Sequence, residues 1–115
     1  MSIELFQKIY TDNITPVART NIAGEYLSIN SAYEQLTGYT LAELQQLNYA
    51  DITPQKWHAI ENQHVLKEVF AKGETTYEKE YIHKSGEVIA IKAHVYLIKE
   101  GGDEEPGMWG TFTAF

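Results

Sequence analysis

The stretch from Val88 to Ile98 alternates with the period of a strand. Ile89, Ile91, Ala93, Val95 and Leu97 fall on one face of a strand, and Ala90, Lys92, His94 and Tyr96 on the other. The first face is core; the second mixes a cation, a histidine and an aromatic, the make-up of either a wet surface or an interface. A different rhythm precedes it. Thr53 places an N-cap before a proline in the first helical position, and a helical pattern runs from Pro54 to Lys72, ended by Gly73 as a left-handed stop. At about 100° per residue, Ala59, Asn62, Val65, Leu66, Val69 and Phe70 share one side of this helix, and Glu61, His64, Lys67, Glu68 and Lys72 lie largely on the other. His58 and Asn62 project beside Val65 and Val69, so the stripe facing the core carries an imidazole and an amide. A buried polar group without a partner costs about 1–3 kcal/mol. These two side chains therefore either bond internally to backbone or water, or point into a ligand cavity.

The remaining elements are shorter. Ser2 can cap an amphipathic helix over residues 1–12 in which Ile3, Phe6, Ile9 and Tyr10 recur at helical spacing. Its stripe covers an edge of the domain's own core or packs on a partner chain, because so short a helix needs tertiary packing. Asp12 to Pro16 is a turn; Val17 to Thr20 and Tyr26 to Ile29 are strands of a hairpin around Asn21-Ile22-Ala23-Gly24. Asn30 and Ser31 are both good N-caps, and Ser31-x-x-Glu34 fits a capping box for a short helix carrying Ala32, Tyr33 and Leu36, stopped at Gly38. Thr40-x-x-Glu43 repeats the box for a second short helix, with Leu41 and Leu44 on its apolar side. Asn48 to Asp51 is a loop or a single helical turn. Beyond Gly73, Thr75 to His83 is a strand, Lys84-Ser85-Gly86-Glu87 turns it into the alternating strand, Gly101 to Gly107 is an acidic loop and Met108 to Phe115 a last strand. The pattern does not say which of Trp109 or Phe112 faces inward.

This order of elements argues an α+β fold, an antiparallel sheet with helices on one face. At 115 residues, 43 % of them hydrophobic and 22 % charged, the chain suits one domain that buries its own core. The absence of cysteine removes disulfides, thiolate nucleophiles and Cys-ligated metals together. A net charge of −7, with Arg19 the only arginine, opposes nucleic-acid binding. No apolar run approaches the roughly 20 residues of a membrane span, and the first ten residues lack a signal-peptide pattern, so a cytoplasmic module without direct membrane insertion is expected.

The block Asn30, Ala32, Tyr33, Leu36, Thr37, Gly38, Tyr39, Glu43 and Leu44 resembles the strand, short helix, "TGY", short helix signature of the PAS domain family. The segments Tyr77-Glu78-Lys79-Glu80-Tyr81, Lys84-Ser85-Gly86-Glu87 and Gly107-Met108-Trp109-Gly110 look like the family's later strands, Lys84-Ser85-Gly86 departing from its commoner Lys-Asp-Gly. The likeness extends over residues 15–115, within a domain set at 13–115 behind the flanking helix of residues 1–12. It implies a five-stranded antiparallel sheet in the order 2-1-5-4-3, with the helices on one face covering a small-molecule pocket. In this sequence that pocket would take His58, Asn62, Val65 and Val69 from the long helix, Tyr33 and Leu36 from the first short helix, Ile91 from the long strand and Trp109 from the last.

The resemblance also implies a sensory, signal-transducing module that binds a small ligand or mediates homodimerisation, through the first helix and the outer face of the sheet. The signal would pass to an effector domain of histidine kinase (two-component) or diguanylate cyclase type. The cofactor is left unknown. Thiol-adduct flavin sensors and covalent chromophore photoreceptors need a cysteine. Haem-binding relatives use a histidine on the long helix where Asn62 stands here, with His58 one turn earlier. A non-covalent flavin needs a roomy pocket that Asn62, Trp57, Tyr33 and Trp109 would contact. The enzyme alternative is a small isomerase-like fold, which needs a buried carboxylate facing the pocket. None is evident at the core-pattern positions, and no phosphate-cradling loop, metal-ligand pair or nucleophile motif is present.

Overall fold

A computed structural model describes residues 3–98 and 107–114. The chain forms α1 (Ile3–Asp12), β1 (Val17–Asn21), β2 (Tyr26–Ile29), α2 (Ser31–Thr37), α3 (Leu41–Leu44) and a 3₁₀ turn (Tyr49–Ile52). A helix α4 over residues 55–72 follows, then β3 (Glu74–Ile82), β4 (Val88–Ile98) and β5 (Gly107–Ala114). The strands make one antiparallel sheet in the order β2-β1-β5-β4-β3. Ser2 and the expected loop before Gly107 lie outside the described residues, as do the side chains of Ile3 and Phe6.

Two layers sandwich the sheet unequally. On the inner face, under α2 to α4, the alternation of β4 holds: Ile91 and Ala93 are buried with Tyr33, Leu44, Ile52, Tyr81 and Phe112. On the outer face Val17, Tyr96 and Trp109 form a separate cluster under Ile9 and Tyr10 of α1. The Tyr10 hydroxyl donates to the Ile29 carbonyl at 2.6 Å, tying that helix to its own sheet. Phe112 thus faces the main core and Trp109 the underside of α1. The antiparallel register pairs Ala93 with Phe112 and Tyr96 with Trp109, so each β5 residue takes the face of its β4 partner.

The caps sharpen the turns. Asn30, not Ser31, caps α2: its side chain accepts from the Tyr33 N–H at 3.0 Å and from the Val17 N–H at 2.9 Å while donating to the Thr15 carbonyl at 2.8 Å. An amide offers both donor and acceptor, so it joins the strand start to the helix start, which a serine hydroxyl is too short to do. Gly38 stops α2 at φ 78°, and a Cβ there would come within 2.6 Å of the His83 ring. Thr40 and Glu43 form the expected reciprocal box, and Asn48 with Asp51 forms another on the 3₁₀ turn. Thr53 belongs to the end of that turn, its N–H bonded to the Ala50 carbonyl. The long helix therefore begins one residue later than expected, with Pro54 extended at its N-cap.

Helix α4 is not uniformly α-helical. It winds as a 3₁₀ turn (Gln55–Trp57), a short α segment (His58–Ile60), a π turn (Glu61–Val65) and a final α segment (Leu66–Lys72), ended by Gly73 at φ 87°. In the π turn the Leu66 N–H reaches back to the Glu61 carbonyl. A π turn holds more residues than an α turn, so each advances less than about 100°. Val65 and Val69 keep their inward places, but upstream of them the pattern rotates: Glu61 is buried, while Ala59, Asn62 and His64 are exposed. The expectation that Asn62 faces the core and Glu61 the solvent is thereby reversed. Phe70, also expected inward, is 48 % exposed.

Candidate functional site

A cavity of about 60 Å³ lies between the inner face of the sheet and α4. Its floor is built by residues of all five strands, each pointing inward by the period of two: Ala18 and Thr20 of β1, Tyr26 of β2, Tyr77, Lys79 and Tyr81 of β3, Val95 of β4, and Met108, Gly110 and Phe112 of β5. Its roof is Tyr33 of α2 with Glu61, Val65 and Leu66 of α4.

Polar groups enter this apolar wall at two places. At the first, three phenols meet: Tyr26 and Tyr33 oxygens lie 2.7 Å apart, and Tyr33 donates to Tyr81 at 3.2 Å. Because each phenol carries one hydrogen, Tyr26 donates to Tyr33 and Tyr81 retains its own hydrogen to offer. Burial, the largest cause, pushes the Tyr33 and Tyr81 hydroxyls well above the usual tyrosine range, so both remain protonated donors. At the second, the Lys79 ammonium donates to both Glu61 oxygens at 2.9 Å, and the Tyr77 hydroxyl donates to one of them at 2.8 Å. The side chains of Lys79 and Glu61 are 2 % and 4 % exposed. The ammonium also lies 4.8 Å from the centre of the Tyr81 ring. Desolvation, outweighing the attraction of Glu61, lowers the Lys79 pKa from the usual lysine range.

The expected pocket residues are scattered by comparison. Tyr33 and Val65 line the cavity, while Val69 and Ile91 are fully buried outside its lining. Leu36 lines a shallow groove beside Asn13 and Pro16, Asn62 is exposed, and Trp109 is on the opposite face of the sheet. The His58 Nε2 lies 2.9 Å from the Ala50 carbonyl and 2.8 Å from that of Thr53, so this imidazole is engaged with backbone away from the cavity. Trp57 donates to Glu80 at 3.0 Å and likewise does not line it.

Of the lining residues only Tyr33 and Val65 were expected in a pocket; Glu61, Lys79, Tyr77, Tyr26, Tyr81 and Met108 are among those that were not. For Lys79 a signal existed: Thr75, Tyr77, Lys79 and Tyr81 share one face at period two, which puts a lysine among tyrosines. For Glu61 no local signal existed, because the π turn that carries it inward is not written in the apolar spacing.

This arrangement does not suit the cofactors weighed above. Ligand pockets for drug-sized molecules span about 300–1,000 Å³, several times this cavity, so the residues as packed do not fit a flavin. Haem finds no imidazole on the lining. Among the described residues no group of three or more His, Asp or Glu is gathered as a metal site. The buried carboxylate that an isomerase needs does exist, contrary to the sequence pattern. It is Glu61, and its two oxygens are already taken by an ammonium and a phenol.

A five-stranded antiparallel sheet in this order, roofed on one face by helices over a small cavity, defines a sensory-type α+β domain. The chain belongs to the PAS domain family, whose model matches residues 15–113. Its fold is similar to that of the PAS domain of a protein from Colwellia psychrerythraea, with a TM-score of 0.85, 18 % identity and coverage of 98 % of this chain and 96 % of that one. The PAS domain of a protein from Desulfitobacterium hafniense matches at a TM-score of 0.72 and 25 % identity, over 88 % of this chain and 92 % of that one. In sequence the chain is similar to the sensor histidine kinase TmoS of Ectopseudomonas mendocina, 27 % identical over 100 residues, which are 86 % of this chain and 10 % of that protein. The chain thus spans about a tenth of the length of that relative. Domains of this family are in general non-catalytic sensory modules, found in sensor histidine kinases. No helix among the described residues is long and apolar enough to cross a membrane.

Proposed function

We propose that this chain is the sensory module of a signalling protein: a small molecule held between the sheet and α4 biases the domain between two states, and the bias passes to an effector domain. The cavity under α4, mostly apolar in its lining but carrying a cluster of phenols and a buried Glu61–Lys79 pair, supports this reading. A ligand shifts such an equilibrium only by binding the two states unequally, and the π turn of α4 is the part of the roof whose backbone departs from regular helix. A histidine kinase output is favoured over a diguanylate cyclase by the likeness to a sensor histidine kinase. A cytoplasmic setting and a homodimer formed through α1 and the open part of the outer sheet face complete the proposal.

Native mass spectrometry of the purified protein, with identification of what it releases on denaturation and a small-molecule binding screen, tests the ligand reading. One molecule per chain is expected, and Val65→Trp, which fills the cavity, should abolish its binding. Retention of the same molecule by that variant would remove the cavity from the function. Sedimentation at high protein concentration tests the dimer; a strictly monomeric profile counts against it.

A further inference from the structure

The Glu61–Lys79 pair joins a residue on a regular element to one on an irregular element. Lys79 is held in β3 opposite Ile91 of β4, its side chain fixed on the inner face by the pleat. Glu61 stands at the first position of a π turn, a conformation used mostly in single turns and often where helices change shape. The apolar spacing of α4 fits a continuous α-helix better than the helix that forms. With Val65 and Val69 kept inward, an α register swings Glu61 toward the edge of the buried face and brings the exposed Asn62 toward it. The carboxylate therefore has a route out, and the ammonium does not. A buried charge abandoned by its partner is strongly unfavourable, so Glu61 leaves only if another anion takes its place. The vacated position is prepared for one: Lys79 supplies charged donors and Tyr77 a hydroxyl donor, and Val65, Leu66, Val95, Met108 and Phe112 line the same cavity with apolar surface.

We propose that the cavity takes a short-chain monocarboxylate, whose carboxylate replaces that of Glu61 on Lys79 and Tyr77 while its apolar tail lies against that apolar surface, Glu61 leaving as the π turn of α4 converts to α. The proposal rests on the reading of the cavity as the sensory site and names its ligand class. The tail is limited to a few carbons by a cavity of about 60 Å³, enlarged by the space the Glu61 side chain gives up. Exchange of one carboxylate for another leaves the buried charge balanced, so the helix moves without stranding a charge.

Calorimetric titration at pH 6 with butyrate, butyramide and butylamine tests it. Butyrate is expected to bind one per chain and at least tenfold tighter than the amide or the amine. Glu61→Gln, which removes the competing charge and keeps the shape, should bind butyrate tenfold or more tighter than the wild type. The double variant Glu61→Gln/Lys79→Met, which leaves neither charge buried, should lose butyrate by tenfold or more while binding butyramide as before. Butyrate should also move the backbone carbon shifts of residues 61–65 toward α-helical values. The proposal is overturned if the amide or amine binds as well as butyrate, if Glu61→Gln does not tighten binding, or if butyrate binds neither protein. Butyramide binding that disappears in Val65→Trp, without a preference for butyrate, would sink the carboxylate class and leave the sensory cavity standing; no binding of any probe or released molecule would remove both.

Discussion

Removing one member of the Glu61–Lys79 pair strands the other charge where water does not reach. Lys79→Met should therefore destabilise the fold by about 3–5 kcal/mol, whereas Glu61→Leu/Lys79→Met, of similar volume, should come out near the wild type or above it. Urea midpoints of the three proteins decide this, and equal losses in the single and double variants would show that the pair contributes by packing alone. At the surface the sign of a charge effect can be read from Glu80. The Lys56 ammonium, 2.8 Å away, and then the Trp57 N–H hold its carboxyl below the usual glutamate range. A carboxyl depressed on folding contributes stability that is present above its unfolded pKa of about 4.3 and lost as pH falls through the lower folded value. Between about pH 5 and 3, the thermal midpoint of Glu80→Gln should accordingly fall less steeply than that of the wild type. Lys79 could have been found in the sequence from its place among alternating tyrosines, although it was not singled out. Its partner could not, since no residue-level property of Glu61 distinguishes it from the solvated Glu68.

The short elements were legible because their ends carry specific chemistry. Thr40 with Glu43, Gly38 and Gly73 all act where their types direct, since a cap or a left-handed stop is a local transaction between a few residues. Asn30 shows the limit. Its cap is local, but the choice of Asn30 over Ser31 rests on bonds to Val17 and Thr15 that only the folded chain brings within reach. Asn30→Ala loses the cap and leaves the buried Val17 N–H unpaired, together about 2–4 kcal/mol, and Asn30→Ser should recover only the cap portion. Denaturant unfolding of the two variants measures the difference. Helix α4 departs further from its pattern. Projection at a constant angle per residue places Val65 and Val69 correctly and fails just upstream, at the π turn. Native-state hydrogen exchange should show faster exchange for amides of residues 61–65 than for Val69 to Lys72, because the π turn is the less regular segment; equal protection would make it a rigid part of the roof.

At the level of the whole molecule, the sheet is closed by helices on its inner face and by α1 on part of its outer face. The Tyr10 hydroxyl bond to Ile29 makes that closure specific, and Tyr10→Phe should cost about 0.5–1.5 kcal/mol in unfolding free energy. A loss within error would mean that α1 is held by apolar contact with Trp109 and Tyr96 alone. The amino-acid sequence by itself determined the α+β class, the two hairpins, the alternation of β4 and most of the caps, because each depends on residues close together along the chain. Through its resemblance to a family it also indicated the strand order. Only the tertiary structure decided which face Trp109 and Phe112 take, that Asn62 turns outward, and that a glutamate and a lysine from distant elements meet in the cavity. Those outcomes depend on how a helix of mixed winding lies on a twisted sheet, where one added residue in a turn re-aims every side chain before it.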